Sequence, residues 1–415
     1  MKKNIIAGLD IGTTKTCAVI AEMGSLNKLD ILGFGVSQSE GMHRGTVANI
    51  NKTSESIRQA VSIAENQAGL KINAVNIGVA GIHISSMRYR NYVTINNPDR
   101  EITESDLERL FNDVKMIRIP SDYFILHVIP EEYFIDDQGG IKSPIGMCGT
   151  RLEAANHIVL AQNTATTSLS KSVERAGLKV NQMILQPLAS ANAVLDENEK
   201  ELGVAMIDIG GGTTDLAVYI NGSIRHSKVI GVAGSQVTSD IRSAFNVVTE
   251  QAEKLKIEYG YASPKAVIKE QDIYIQSGGP RAPIRISVGV LTQVIYLRMK
   301  ELFMLIDHEL KMAKLKDQIR AGIILTGGGS LIRGCEELAI EVFGLPSRIG
   351  MPLDLGGGLA QKVENPVYST AVGLLLGGID TVNLKESHNY VSFRRPNGSV
   401  IKKFGQKIKK FFDEM

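Results

Sequence analysis

A glycine- and threonine-rich motif occurs twice in this 415-residue chain and restricts its fold more than any other feature. The first copy runs Gly8-Leu9-Asp10-Ile11-Gly12-Thr13-Thr14, and the second runs Met206-Ile207-Asp208-Ile209-Gly210-Gly211-Gly212-Thr213-Thr214. In each copy an apolar strand carries an Asp near its end, a glycine turn follows, and a second apolar strand begins after paired threonines. The copies lie almost half the chain apart, and such long-range self-similarity indicates two related α/β halves.

Composition places the chain among globular proteins, with 43% hydrophobic and 22% charged residues. The formal net charge of +2, the absence of Trp and the 5% aromatic content do not favour a nucleic-acid partner. Three widely spaced cysteines fit neither a metal site nor a disulfide scaffold. The first apolar run meets Asp10 too early for a secretion signal, and no apolar stretch reaches the roughly 18 residues of a membrane helix. We therefore expect a cytoplasmic protein with at most peripheral membrane contact.

The region from 84 to 163 differs from the segments on either side in its pattern of predicted strands, helices and turns. Those segments alternate strands with helices, as α/β domains do. Region 84–163 contains a predicted helix over Glu104–Lys115, preceded by Thr103 as a possible cap, several short strands and Pro- or Gly-containing turns. It contains no glycine-rich phosphate turn. We interpret it as an inserted subdomain.

The repeated turns have the composition of a phosphate site. A tight turn of Gly and Thr directs backbone N–H groups and hydroxyls toward one point, which suits phosphate oxygens. The Asp that ends the preceding strand is suited to hold Mg²⁺ through water, because this ion keeps most of its hydration shell. A single turn of this kind is a common hairpin, but two in related halves can clamp a polyphosphate from both sides.

Two further motifs are consistent with a nucleoside. The strand over Ile323–Thr326 ends in Gly327, Gly328 and Gly329, which allow close approach of a base or ribose. An ordinary strand-to-helix turn seldom needs three glycines. Glu253 and Lys256 share one face of a predicted helix and could hydrogen-bond ribose and adenine, although such a pair on its own is more often a solvated charged face.

The last sixteen residues have the pattern of an amphipathic helix. At about 100° per residue, the large apolar side chains fall within an arc of roughly 100°. They are Ile401, Phe404, Ile408, Phe411, Phe412 and Met415. The lysines lie opposite or beside this arc, at Lys402, Lys403, Lys407, Lys409 and Lys410. Such a helix is typical of an anionic membrane surface, whereas a helix packed on the protein body needs no lysine cluster.

The order of these motifs resembles that of the actin, sugar-kinase and heat-shock chaperone superfamily. Within it, the chain is similar to the FtsA family over nearly its whole length, through Leu126–Tyr133, Val173–Leu178, Gly231–Asp240 and the tail. The resemblance implies a two-lobed α/β actin-like fold, a duplicated ribonuclease-H-like architecture with an FtsA-type insertion and a C-terminal amphipathic helix. The implied divisions are a first-lobe core (1–83, 164–200 and 352–384), the insertion (84–163), a second-lobe core (201–235 and 316–351), a small second-lobe subdomain (236–315), a linker (385–399) and a membrane helix (400–415).

The resemblance also implies roles for individual residues. Asp10 and Asp208 match the acids on the Mg²⁺ side, with Asp208 also catalytic. Gln186 falls where actin has the glutamine that positions the attacking water; a glutamine is a poor base, so ATP hydrolysis would be slow at most. A helix-start residue without catalytic function explains Gln186 equally well. The implied cofactor-binding residues are Gly12, Thr13, Thr14, Lys15, Gly210, Gly211, Gly212, Thr213, Thr214, Glu253, Lys256, Gly327, Gly328 and Gly329.

The function implied is that of an ATP- and Mg²⁺-binding protein that polymerises and tethers FtsZ to the cytoplasmic face of the plasma membrane at the division site. Its implied partners are the C-terminal peptide of FtsZ, further copies of itself, anionic lipid and other division proteins. Arg298 is a candidate contact for the acidic peptide, although an arginine paired within its own helix is an equal alternative. Two competing functions are a pilus-assembly adaptor of the actin-like class and a small-molecule kinase, and neither accounts for the basic tail.

Overall fold

The structure, a computed structural model, describes residues 5–24, 28–275, 283–383 and 391–392. Its strands are β1 (Ile5–Ile11), β2 (Lys15–Met23), β3 (Leu29–Gln38), β4 (Met42–His43), β5 (Thr46–Val47), β6 (Ala74–Val79), β7 (Ile84–Thr94), β8 (Tyr123–Ile135), β9 (Gln138–Ile141), β10 (Arg151–Gln162), β11 (Lys179–Leu185), β12 (Val204–Ile209), β13 (Thr214–Ile220), β14 (Ser223–Ile230), β15 (Asp272–Ile275), β16 (Ile284–Ser287), β17 (Gly322–Thr326), β18 (Ser347–Ile349), β19 (Leu355–Gly358) and β20 (Val391–Ser392). Its α-helices are α1 (Ile50–Ala68), α2 (Glu104–Val114), α3 (Asn163–Arg175), α4 (Gln186–Val194), α5 (Glu197–Leu202), α6 (Gly234–Phe245), α7 (Thr249–Tyr259), α8 (Val288–Met312), α9 (Cys335–Phe343), α10 (Ala360–Val363) and α11 (Ser369–Asn383).

Two central sheets repeat one topology. The first has the order β11-β6-β1-β2-β3-β19, and the second has the order β18-β17-β12-β13-β14. In both, a strand carrying the repeated Asp pairs antiparallel with the next strand and parallel with a later one. The outer pairs also correspond, because β2–β3 and β13–β14 are antiparallel whereas β6–β11 and β17–β18 are parallel. The structure thus confirms the duplication that the repeated motif predicts.

Helix α1 shows how an apolar stripe covers the first sheet. Its buried positions include Ile57, Ala60, Val61 and Ala64, which recur every three or four residues and face β2 and β3. Asn49 caps the N-terminus by accepting a hydrogen bond from the Lys52 N–H. Gly69 ends the helix with a φ of 66°, a left-handed conformation that glycine adopts without strain.

The insertion has its own sheet and its own core. Strand β10 lies between β7 and β8, antiparallel to both, and β9 pairs with β8. Helix α2 begins after Thr103 with a capping box to Asp106, as the sequence predicts. Its buried face, with Leu107 and Leu110, packs into a cluster formed by insertion residues, separate from the cores of the two lobes.

The insertion also contacts the second lobe. Arg225 on β14 donates to Glu131 Oε2 at 2.9 Å, and Glu131 has a fully buried side chain that Arg88 contacts at 2.8 Å as well. His157 on β10 hydrogen-bonds to Ser227 Oγ at 2.9 Å. The insertion is therefore joined to the first lobe through the chain and to the second lobe through polar side chains.

Two helices at the junction of the lobes pack against each other with almost no space between them. Helix α4 follows β11 in the first sheet, and α11 crosses α4 near residues 189 and 373. A Cβ on Gly373 would overlap the carbonyl group of Ala189. Only glycine lets the two backbones approach this closely.

The C-terminal expectations fall mostly outside the described residues. Of the expected linker, 385–399, the structure describes Val391–Ser392, which pair antiparallel with β8. The expected membrane helix, 400–415, lies outside the described residues altogether. Among the described residues, no helix is both long and apolar enough to cross a membrane. The domain boundaries given above stay predictions.

We expect Gly373→Ala to reduce the free energy of unfolding by about 2–3 kcal/mol, because the added methyl group forces α4 and α11 apart. Urea unfolding followed by circular dichroism measures the loss. The matched control is Gly377→Ala in the same helix, where the new Cβ would meet only the Ile184 side chain, at 2.6 Å. That flexible side chain can move, so the control should cost less than about 1 kcal/mol. Equal losses in both variants would contradict the requirement for glycine at position 373.

Candidate functional site

A cleft of about 800 Å³ lies between the two lobes, and both repeated turns line it. The first turn links β1 to β2, and its Gly12 N–H donates to the Lys15 carbonyl at 2.9 Å. The second links β12 to β13 with the same bond, from Gly210 N–H to the Thr213 carbonyl at 3.0 Å. The two turns are therefore structural equivalents, and they face each other across one opening.

The turns are in direct contact at their tips. A Cβ on Gly211 would lie 2.6 Å from Thr14 Oγ1, and one on Gly212 would overlap Thr13 Oγ1. The glycines of the second turn thus leave room for the threonines of the first. This fit places two hydroxyls and the backbone of both turns at the same point of the cleft, as binding of phosphate oxygens requires.

Three buried carboxylates line the cleft. Asp10 and Asp208 occupy equivalent positions in the two hairpins, and Asp215 lies opposite Asp208 in the β12–β13 ladder. Burial raises the pKa of Asp10 to about 6; the Lys15 ammonium opposes this shift, and the Asp208 carboxylate adds to it. Burial also raises the pKa of Asp208, and it raises that of Asp215 well above its usual value, with the charges of Asp208 and Asp10 adding. The raised pKa values mean that the folded protein favours protonation of these acids or their neutralisation by a bound cation.

These acids fit a hydrated Mg²⁺ ion. Asp215 Oδ1 is buried and has no hydrogen-bond partner among the described residues, so it is left to bind a cation or its water. No three His, Cys, Asp or Glu side chains of the described chain are placed to chelate one ion directly. Mg²⁺ tolerates such a site because it retains several waters and takes other ligands from a bound phosphate.

The third glycine turn closes the cleft on the side of the second lobe. Gly327 has a φ of 79°, and a Cβ there would overlap Asp208 Oδ1, so glycine is required. Gly328 faces open space, since the nearest atom to a Cβ would be Val367 Cγ2 at 3.8 Å. Gly329 packs against Ile209 and does not line the cleft. Gly327 and Gly328 therefore form a flat surface next to the acids.

Comparison with known sequences decides the family. A sequence model described as "Cell division protein FtsA" matches residues 205–373, and one described as "SHS2 domain inserted in FTSA" matches residues 81–160. The cell division protein FtsA of Pseudomonas aeruginosa is 41% identical over 403 residues, 96% of each chain. That of Escherichia coli strain K12 is 39% identical over 393 residues, 93% of this chain and 91% of its own. The chain belongs to the FtsA family.

Solved structures agree on the FtsA-type fold. The PilM–PilN type IV pilus biogenesis complex superimposes with a TM-score of 0.65 at 17% identity, over 90% of this chain and 98% of that chain. MreB5 of Spiroplasma citri bound to ADP superimposes with a TM-score of 0.54 at 18% identity, over 92% of this chain and 99% of that chain. With the matched insertion, they confirm the expected two-lobed actin-like fold. The sequence identities associate the chain with FtsA in cell division, rather than with a pilus adaptor or a kinase.

In this FtsA-family cleft, Gln186 and Lys15 already have partners. Gln186 Nε2 donates to Asp10 Oδ1 at 3.1 Å, which places the amide beside the first acid. Lys15 Nζ donates to the Val367 carbonyl and lies 4.4 Å from the centre of the Tyr368 ring. Both side chains line the cleft, and their proposed roles in water positioning and phosphate binding stay predictions.

Several other expected nucleotide-binding residues do not line the cleft. Thr214 is buried and donates its hydroxyl to the Val232 carbonyl at 2.7 Å. Lys256 is buried against α6, where it donates to the Gly234 carbonyl at 3.2 Å and to Glu253 Oε2 at 2.7 Å. The predicted helix and the shared face of this pair are present in α7. However, the lysine supports the start of α6, whose Gly234 N–H bonds the Gly210 carbonyl of the second turn.

Arg298, the expected peptide contact, is held by two acids. It donates to Asp240 Oδ2 on α6 at 2.5 Å and also pairs with Glu301 on its own helix, α8. Its side chain is 28% exposed, so an acidic peptide would have to compete with these carboxylates. The membrane residues expected in the tail lie outside the described residues.

Sequence reasoning missed three residues that define the second half of the site. Asp215 directly follows the second copy of the repeated motif, and alignment of the two hairpins gives it the position that Cys17 has in the first, so hairpin register could have revealed it. Ser190 Oγ and Thr370 Oγ1 donate to Asp208 Oδ2 at 2.6 and 3.0 Å. They come from α4 and α11, and no local pattern in the sequence connects them to the motif.

We expect Asp10→Asn to stabilise the protein in the absence of ligand above about pH 6. The pKa of this carboxyl is 3.8 in the unfolded chain and about 6 in the folded protein, so between these values the folded state binds more protons and stability falls as pH rises. Asn removes this loss, which amounts to at most about 3 kcal/mol at pH 8. Urea unfolding in EDTA at pH 4, 5, 6 and 8 measures the difference.

The matched control is Asp99→Asn, because Asp99 is exposed in the insertion. It should leave the pH profile unchanged. Should Asp10→Asn lower the urea midpoint equally at every pH, burial of the Asp10 charge would not be the source of the pH dependence.

Proposed function

We propose that the cleft binds ATP together with Mg²⁺. The observation that carries this proposal is the pair of facing turns, with three buried acids beside them and an open glycine surface at Gly328. The family relationship supports it, as does the fold shared with the structure of MreB5 bound to ADP. Phosphate oxygens would be bound by the backbone and hydroxyls of both turns, and the nucleoside would pack against Gly327 and Gly328.

The residues of the cleft have separate tasks in this proposal. Asp10 and Asp208 would hold the waters of the ion, which would neutralise phosphate charge when bound. Lys15 would leave the Val367 carbonyl to contact a phosphate. Gln186 can orient a water but is a poor base, so the cleft favours nucleotide binding with slow hydrolysis at most. ATP would therefore act mainly as a ligand that closes the lobes for assembly.

We expect Gly328→Leu to weaken nucleotide binding by at least about tenfold while leaving the fold intact. A side chain at this position grows into open space, so it occupies the nucleoside surface without displacing protein atoms. Titration with a fluorescent ATP analogue measures affinity, and thermal unfolding without ligand reports the fold. Gly328→Ala is the control and should bind nearly as well as the unchanged protein. Full affinity in Gly328→Leu would place the nucleoside elsewhere.

We further propose that this protein polymerises on the cytoplasmic face of the plasma membrane and tethers FtsZ there. Membership of a cell-division family supports the division site as its location. The tail contributes a sequence with large apolar residues on one helical face and five lysines outside it. A single short helix binds membrane weakly, so assembly of many copies would supply avidity.

The FtsZ peptide would dock on the small subdomain of the second lobe, 236–315. Arg298 lies there on the 25-residue helix α8 and is the one contact that the sequence singles out. Because Asp240 and Glu301 already neutralise it, an acidic peptide would gain from Arg298 only by displacing one of these partners. We therefore expect a modest contribution from this residue, of the size typical of a partly exposed ion pair.

Co-sedimentation with vesicles tests the tether directly. The full chain should pellet with vesicles of phosphatidylcholine and phosphatidylglycerol, more strongly with ATP and Mg²⁺, and should carry FtsZ with it. A chain ending at Asn397 should stay in the supernatant. Phe404→Ser with Phe411→Ser should also stay soluble, whereas Gln406→Ser on the polar face should pellet normally. Equal pelleting of the full and shortened chains would contradict a membrane role for the tail.

The same assay separates the FtsZ contact from membrane binding. Arg298→Ala should reduce the FtsZ recovered in the pellet while this protein pellets as before. Arg320→Ala removes an exposed arginine outside the small subdomain and serves as the matched control. Equal FtsZ recovery with both variants would remove Arg298 from the proposed interface.

A further inference from the structure

Helix α4 carries two side chains that reach the two repeated aspartates. Gln186, its first residue, donates to Asp10 Oδ1 at 3.1 Å. Ser190, one turn later, donates to Asp208 Oδ2 at 2.6 Å. Residues four apart lie on the same face of a helix, so one rigid element sets the positions of the carboxylates from both lobes.

Thr370 at the start of α11 completes the contacts around Asp208. Its hydroxyl lies 3.0 Å from Asp208 Oδ2 and 2.9 Å from Ser190 Oγ. Ser190 is fully buried, while Asp208 and Thr370 are 6% and 9% exposed. Two hydroxyl protons serve three close contacts, so only two of these contacts are hydrogen bonds at any one time.

This shared set of protons leaves neither hydroxyl nor the carboxylate unpaired. When both hydroxyls donate to Asp208, one carboxylate oxygen is held by two neutral donors. When one hydroxyl donates to the other instead, the carboxylate keeps a single donor. A buried polar group left without a partner would be costly, and the Ser190–Thr370 pair avoids that cost in both arrangements.

The supports of the two hydroxyls are rigid. Ser190 and Thr370 belong to the α4–α11 pair, in which Gly373 packs directly on Ala189. Asp208 Oδ1 is confined on its other side by Gly327, where a Cβ would overlap it. The carboxylate is therefore restricted from both sides by groups that have little freedom to move.

We propose that Ser190 and Thr370 are positioning residues that set the affinity of the cleft for a divalent cation through Asp208. The inference rests on the proposed binding of ATP with Mg²⁺ and assigns it two residues of the first-lobe helices. Removal of a side chain that hydrogen-bonds a metal-binding residue typically lowers metal affinity by about 10- to 100-fold. Nucleotide affinity without the ion should not depend on them, because neither hydroxyl is bonded to the phosphate turns.

The test is a Mg²⁺ titration of the full chain with a fluorescent ADP analogue held below saturation. Ser190→Ala and Thr370→Val should each raise the Mg²⁺ concentration needed for half-maximal binding by about 10- to 100-fold. Both should bind the analogue in EDTA as tightly as the unchanged protein. Thr370→Ser retains the hydroxyl and should restore the normal Mg²⁺ dependence.

Ser369→Ala is the matched control. Ser369 neighbours Thr370, is fully buried and hydrogen-bonds Thr326 Oγ1 at 2.7 Å, across the same junction, and among the described residues it has no hydrogen bond to a carboxylate. Removal of the Ser369 hydroxyl should lower thermal stability as much as removal of the Thr370 hydroxyl does, without shifting the Mg²⁺ titration. An equal shift in Ser369→Ala would show that the effect is one of general packing and would overturn the positioning role.

The remaining outcomes separate this inference from the proposed function. An unchanged protein that binds no analogue with or without Mg²⁺ would overturn nucleotide binding, and the inference with it. Mg²⁺-dependent binding that is the same in Ser190→Ala, Thr370→Val and the unchanged protein would overturn the inference alone. Variants that bind the analogue more weakly than the unchanged protein by the same factor in EDTA and in Mg²⁺ would also overturn it, since the residues would then act on the nucleotide rather than on the ion.

Discussion

The burial of three carboxylates in one cleft is the constraint on which the rest of the structure depends. The charge of Asp208 raises the pKa of Asp10, the charges of Asp208 and Asp10 both raise that of Asp215, and Lys15 is the one cation among the described residues that line the cleft. Such an arrangement costs folding free energy, so it persists only where surrounding structure holds it in place. The two duplicated sheets supply that support, because each acid projects from a strand that is paired on both sides.

The connection between the lobes is equally constrained. Helices α4 and α11 pack backbone to backbone, while the insertion, continuous with the first lobe, bonds to the second through Glu131, Arg225, His157 and Ser227. Strand β14, which carries Arg225 and Ser227, is two strands away from Asp208 in the same sheet. A change in the angle between the lobes must therefore be accommodated both at the helix pair and at the insertion.

The parts of this site that the sequence predicts are those built from consecutive residues. Each repeated turn, with its Asp, glycines and threonines, is local, so spacing alone identifies it. Ser190 and Thr370 lie 18 and 162 residues from Asp208, and only the packing of α4 against β12 and β13, and of α11 on α4, brings them to it. The Glu253–Lys256 pair shows what helix spacing alone does not predict. The two residues share a helix face as expected, but α6 covers the lysine, which bonds the Gly234 carbonyl and so supports the second turn.

The duplication is not symmetric, and the asymmetry determines how charge is arranged in the cleft. The position of Asp215 in the second hairpin corresponds to Cys17 in the first, and the position of Thr213 corresponds to Lys15. Among the residues that line the cleft, the first hairpin thus contributes one acid and one cation, whereas the second contributes two acids and no cation. An anion bound in the cleft would be drawn toward Lys15, and a metal ion held through water by Asp10 and Asp208 would lie nearer the second hairpin, which carries the additional acid Asp215. Two copies of one hairpin have in this way acquired complementary electrostatic roles while keeping the same backbone.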